Sequence, residues 1–206
     1  MTGDRNTVAR PGKVGCWGID LGVPGDGSGA AVTALATSAA PRFTAAFADL
    51  CEIESAFADY LAARGPRSAP AVVETRRVDV AADGNVTIPP DASVVIGLVL
   101  ECAVRLETSD GVVSIPRAAE WRFAAVLAPE EEGLRVEDTA AYLCVGIDAW
   151  TPAARDPTAR ELAVRNAPRL ERSLRDWERA MGHPITDYTS DAYPGAIGPY
   201  GFVPTS

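Results

Sequence analysis

The sequence is poor in the residues that most often carry chemistry. Among 206 residues there is one histidine, His183, and one lysine, Lys13. A single histidine excludes any multi-histidine metal site and leaves a Ser-His-Asp or Cys-His arrangement only one residue to use. The four cysteines, Cys16, Cys51, Cys102 and Cys144, form no CxxC pair, so zinc-ribbon and thioredoxin-type motifs are absent. Cys102 and Cys144 lie in apolar strand patterns. That predicts buried free thiols behaving as small hydrophobes, with a disulfide between strands as the alternative. No run of eighteen apolar residues occurs, so no helical membrane span is expected. The segment Met1–Asn6 lacks the apolar core of a signal peptide, and the expected location is cytoplasmic.

Positive charge is also scarce. The formal net charge of −9 disfavours nucleic acid and anionic membranes as partners, because both are bound through accumulated Lys and Arg. What is present suits a folded domain. With 47% hydrophobic and 23% charged residues, a chain of this length can bury about 70% of its unfolded surface without metal or disulfide.

Three regions follow from composition. Residues 1–29 form a Gly/Pro-rich N-terminal arm with a short strand at 14–21. Residues 30–182 form a single α+β domain. Residues 183–206 form a Pro/Gly/Tyr-rich C-terminal arm. Phe43, Phe47, Leu50, Phe57 and Leu61 recur at helical spacing and predict a helix over 41–64, ended by Gly65-Pro66, with a linker at 66–70. A β-meander is expected next. Residues 72–80 form its first strand, and Ala82-Asp83-Gly84-Asn85 turns the chain into the short run 86–88. Ile96, Leu98, Leu100, Cys102, Val104 and Leu106 alternate with Glu101, Arg105 and Glu107, the pattern of a half-buried antiparallel strand. Residues 113–127 make another strand, where Pro116 predicts an edge position or a bulge. Glu130, Glu131 and Glu132 read as a solvated reversal. The last strand, 134–149, switches parity near Thr139, which predicts a bulge. A helical region over 158–181 buries Leu170, Leu174, Trp177 and Met181, is kinked or divided at Pro168, and is capped by Gly182.

The expected fold is therefore α+β, a curved antiparallel β-meander packed against an N-terminal and a C-terminal helix. This order of elements resembles the helix-grip arrangement of the START and Bet v 1-like families, and is similar to the NTF2-like cone. The long C-terminal helix favours the first. The resemblance is one of architecture and carries no function.

Candidate sites are few. Asp20 and Asp26, in WGIDLGVPGDGSG, resemble the first hairpin of ribonuclease-H-like and actin-like folds, which implies a place for Mg²⁺ or phosphate; the plainer account is an acidic turn. Asp148 and Glu137 are acid/base candidates if the sheet encloses a pocket lined by Trp121, Phe123, Tyr142 and Trp177; otherwise those aromatics fill the core. Arg165, Arg172, Arg175 and Arg179 share the outer side of the second helix. Glu161/Arg165 and Glu171/Arg175 at i,i+4 favour a salt-bridged surface over a phosphate-binding stripe. Tyr188, Tyr193, Tyr200 and Phe202, set among Pro and Gly, suit an arm that docks on a surface. No cofactor is expected. The leading expectation is a non-catalytic interaction or assembly subunit using its terminal arms, with self-association or a protein partner. The alternative is a protein or enzyme binding a small apolar ligand between the sheet and the C-terminal helix.

Overall fold

Alternating apolar residues from Val94 to Val145 build three long strands, and the rest of the molecule is arranged around them. The computed structural model describes residues 14–62, 72–89, 94–130 and 133–203. In chain order these hold β1 (Gly15–Asp20), α1 (Gly29–Ala46), β2 (Cys51–Ala62), β3 (Val72–Val80), β4 (Val86–Thr87), β5 (Val94–Thr108) and β6 (Gly111–Glu130). They continue with β7 (Gly133–Val145), α2 (Pro157–Met181), β8 (Ile185–Thr189), β9 (Ile197–Gly198) and β10 (Gly201–Phe202). Strands β1 to β8 form one open antiparallel sheet in the order β4-β3-β2-β5-β6-β7-β1-β8. The fold is α+β, as the meander predicts. The expected 66–70 linker and residues Glu131 and Glu132 lie outside the described residues.

The first helix is not where the aromatic spacing puts it. It spans Gly29–Ala46, capped at its start by the Ser28 side chain, which accepts from the Ala31 N–H. Residues 51–62 form a strand instead. Ala56, Ala58 and Tyr60 point into the core, while Ser55, Phe57, Asp59 and Leu61 alternate on the other face. The pair Phe57/Leu61 mimics a helical repeat, but pairing with β5 on one side and β3 on the other overrides it.

Bulges interrupt the register of the sheet at several points. Glu54 is skipped in the β2–β5 register. Ala103 of β5 opposes three residues of β6, Pro116 to Ala118. Arg117 there has φ 51° and donates its N–H to Glu54 Oε2 at 2.7 Å. Pro116 therefore marks a bulge in an interior strand. In β7 the extra residue is Glu137, which accounts for the parity switch read from the sequence. At Ile96 a further bulge gives the core position to Val95, and Val113 is exposed.

Helix α2 runs unbroken through Pro168 and ends at Gly182, φ 74°. The space between helices and sheet is filled by rings. Phe43 stacks on Phe47 at 4.8 Å and on Trp121 at 5.4 Å, and Trp177 meets both phenylalanines edge-on at 6.3 and 6.1 Å.

The expectation of buried free thiols at Cys102 and Cys144 holds for Cys102 and is corrected for Cys144, where the alternative of a disulfide between strands applies. Cys16 and Cys144 are directly opposed on β1 and β7 and joined by a disulfide, Cα atoms 4.1 Å apart. Neighbouring apolar patterns disguised a cross-strand pair 128 residues apart in sequence. Cys51 and Cys102 are free. A hydrogen bond with Cys51 and then burial push the Cys102 thiol far up, so it is inert.

Candidate functional site

The aromatic residues expected to line a pocket divide between the two faces of the sheet. Trp121, Phe123 and Trp177 are wholly buried in the core between sheet and helices. Tyr142 lies on the opposite face, its ring over Gly18, where a Cβ would come within 2.7 Å of it. Partial burial, and after it the carboxylates Asp187, Asp138 and Asp20, hold its phenol above the usual tyrosine range.

The acid candidates are scattered. Asp148 lies in the loop between β7 and α2; burial, and after it the neighbouring Asp148 carboxylate, push the Tyr193 phenol up. Glu137 sits on the β7 bulge, 3.7 Å from Arg135, at a second cleft of about 560 Å³ that also holds Asp26. Asp20 and Asp26 each turn onto their own loop: Asp20 Oδ1 accepts from Gly22 N at 2.8 Å and Asp26 Oδ1 from Ser28 N at 2.9 Å. The Ser28 hydrogen bonds hold the Asp26 carboxyl below the usual range. Among the described residues no group of three or more His, Cys, Asp or Glu is placed to hold a metal ion. His183 is exposed just beyond the α2 cap.

The C-terminal segment packs on its own chain. Strand β8 pairs with β1. Trp17 Nε1 donates to Gly198 O at 2.9 Å, and Phe202 meets the Trp17 ring edge-on at 5.6 Å. Tyr200 donates its hydroxyl to Glu178 at 2.7 Å, and the Arg175 guanidinium lies 3.9 Å over its ring. Tyr188 is exposed and Tyr193 half-buried.

Two further surfaces stand out, the first not singled out by sequence and the second only through Arg165 and Arg172. The first is the sheet face that carries no helix among the described residues. Both helices pack on the face bearing Leu98, Leu100, Trp121 and Leu143. Across the other face the registers align Arg77, Phe57, Val99, Arg122, Tyr142, Gly18 and Asp187 in one row. Beside it stands the small-residue row Gly97–Ala124–Ala140. Ser55 donates to Glu101 at 2.6 Å, and Arg122 to Glu120 at 2.9 Å. Strand parity holds the signal for this face, but which parity lacks a cover depends on where the helices land.

The second surface is a cleft of about 500 Å³ between α2 and the distal parts of β5 and β6. Asn166 and Arg169 tie the helix to the strand there. Asn166 accepts from Glu107 N at 2.8 Å and donates to Glu107 O at 3.0 Å. Arg169 donates to the carbonyls of Arg105 and Asp49 and lies 3.3 Å from Glu107. Arg105 in turn donates to the carbonyls of Ala48 and Cys51. On the outer side of α2, Arg175 pairs with Glu171 at 3.0 Å and Arg179 with Asp176 at 2.6 Å.

No helix among the described residues is long and apolar enough to cross a membrane. No family model matches this chain, and neither a curated protein nor a solved structure matches it.

Proposed function

We propose that the chain is a non-catalytic assembly subunit that pairs with a second copy of itself through the sheet face that carries no helix among the described residues. The observation that carries this reading is the row from Arg77 to Asp187, with Phe57, Val99 and Tyr142 half-buried along it. The row is complementary to its own reverse. A two-fold axis along the strands sets Arg77 against Asp187 and Val99 against Tyr142 of the other copy, as an isologous contact requires. Arg122 meets its own equivalent, with each charge offset by Glu120.

This reading keeps the interaction role expected from the sequence and moves it from the C-terminal arm to the sheet, because residues 185–202 are engaged within the chain. The ligand-pocket alternative, with Asp148 or Glu137 as acid/base, is disfavoured by the stacked rings of Phe43, Phe47, Trp121 and Trp177 filling that space. The arrangement is read as nearer a helix-grip than an NTF2-like cone, since a long helix follows the meander. The Cys16–Cys144 bridge argues for an oxidising setting over the cytoplasm.

Light scattering on the wild type and on Val99→Arg tests the proposal. The wild type is expected to have the mass of two chains and the variant that of one, with an unchanged circular dichroism spectrum. A monomeric wild type, or a variant that still pairs, overturns it.

A further inference from the structure

Helix α2 presents Arg165, Arg169 and Arg172 at i, i+4 and i+7, on one side of the helix. Arg165 and Arg172 stand two turns apart, about 10 Å along the axis. Between them Arg169 is committed to Asn166, Glu107 and the two backbone carbonyls of Arg105 and Asp49. Arg105, from β5, lines the same cleft; its Nε is buried with no hydrogen-bond partner. Arg165 and Arg172 are exposed and make no ion pair among the described residues, although Glu161 lies one turn before Arg165. The outward arginines of the same helix, Arg175 and Arg179, do pair with acids. The cleft thus gathers four arginines against Asp49 and Glu107, on a chain whose net charge is −9.

Free guanidiniums beside a concave wall recognise oxyanions. Their planar forks match phosphate oxygens, and the low charge density of guanidinium suits partial desolvation. Arg169 and Arg105, held by backbone carbonyls, form a fixed positive floor, while Arg165 and Arg172 are free to close on a ligand from either end. We infer that this cleft is a binding site for a small soluble anion bearing a phosphate or diphosphate group. The inference is independent of the sheet-face pairing proposed above.

Calorimetric titration of the full chain with inorganic pyrophosphate, at ionic strength held constant with chloride, tests it. The wild type is expected to bind saturably with one site per chain. Arg165→Gln/Arg172→Gln is expected to bind about tenfold or more weaker, with its thermal unfolding unchanged in the absence of ligand. Arg175→Gln/Arg179→Gln removes as much charge from the same helix and is expected to bind as the wild type does. Absence of saturable heat in the wild type overturns the site, as does equal weakening in both double variants, which marks diffuse electrostatic attraction. Binding to phosphatidylcholine vesicles doped with phosphatidic acid, without binding of free pyrophosphate, overturns the soluble ligand in favour of a lipid headgroup.

Discussion

Asn166 is wholly buried on α2, and its amide serves the backbone of Glu107 in both directions while also donating to Leu162 O at 2.8 Å. It does for the distal end of β5 what another strand would do. Replacing it with alanine leaves the N–H and C=O of Glu107 without those partners and frees Arg169 from one of its anchors. The expected cost is about 2–3 kcal/mol in urea unfolding, since each stranded backbone group carries its desolvation penalty. A change under about 0.5 kcal/mol, the range of ordinary surface substitutions, would remove Asn166 from the account of how α2 is held. Nothing in the sequence marks it. An asparagine in an amphipathic helix reads as a surface residue until the strand it meets is known. The arginines of α2 were legible as a group, but their division into paired and unpaired members was not. Glu161 and Arg165 have favourable spacing, yet α2 bends no acid toward the cleft that Arg165 lines.

At the scale of elements, the long strands were readable because a period of two over a dozen residues arises from little except a sheet with one buried face. The bulges left traces as well: a proline in β6 and a parity switch in β7. Helix α1 was missed because its residues 29–40 are mostly Ala, Thr and Ser, with no apolar stripe to announce them, whereas β2 carries alanines and a Phe57/Leu61 spacing that imitates a helix. The pairing of β1 with β7 was invisible, since strand order depends on contacts more than a hundred residues apart. The disulfide follows from that pairing. By closing 128 residues, it restricts the unfolded chain by about 5 kcal/mol in the loop-entropy model. Dithiothreitol is therefore expected to lower the urea midpoint, and Cys16→Ser/Cys144→Ser to reproduce the loss without reductant. The free thiols give a control, because Cys51 and Cys102 are reduced in both conditions. A midpoint indifferent to reductant, with the bridge verified by mass, would mean the sheet holds β1 unaided.

Over the whole molecule, the C-terminal residues act as part of the core rather than as an appendage. The sheet continues through β1 into β8, and beyond it the β9–β10 hairpin sits against Trp17. Ser190 is buried and donates to Val14 O, and its Oγ accepts from Tyr193 N at 2.9 Å, so the chain's described start and end are tied together. Tyr200 and Arg175 fasten the same segment to α2 through Glu178 and a cation–π contact. Composition alone suggested an arm because Pro and Gly dominate, but these residues shape the tight turns that return Phe202 to Trp17. Removal of residues 184–206 should then act on stability first. It strips β1 of one neighbour and uncovers the indole of Trp17, now wholly buried. The loss of a buried aromatic contact and five residues of strand pairing is expected to cost about 3 kcal/mol or more. The folded baseline of tryptophan fluorescence should shift to the red as water reaches that ring. If the truncated chain unfolds at the wild-type midpoint and instead changes only its mass in solution, the segment is an assembly arm after all. The partner would then be sought at β8 rather than on the open face of the sheet.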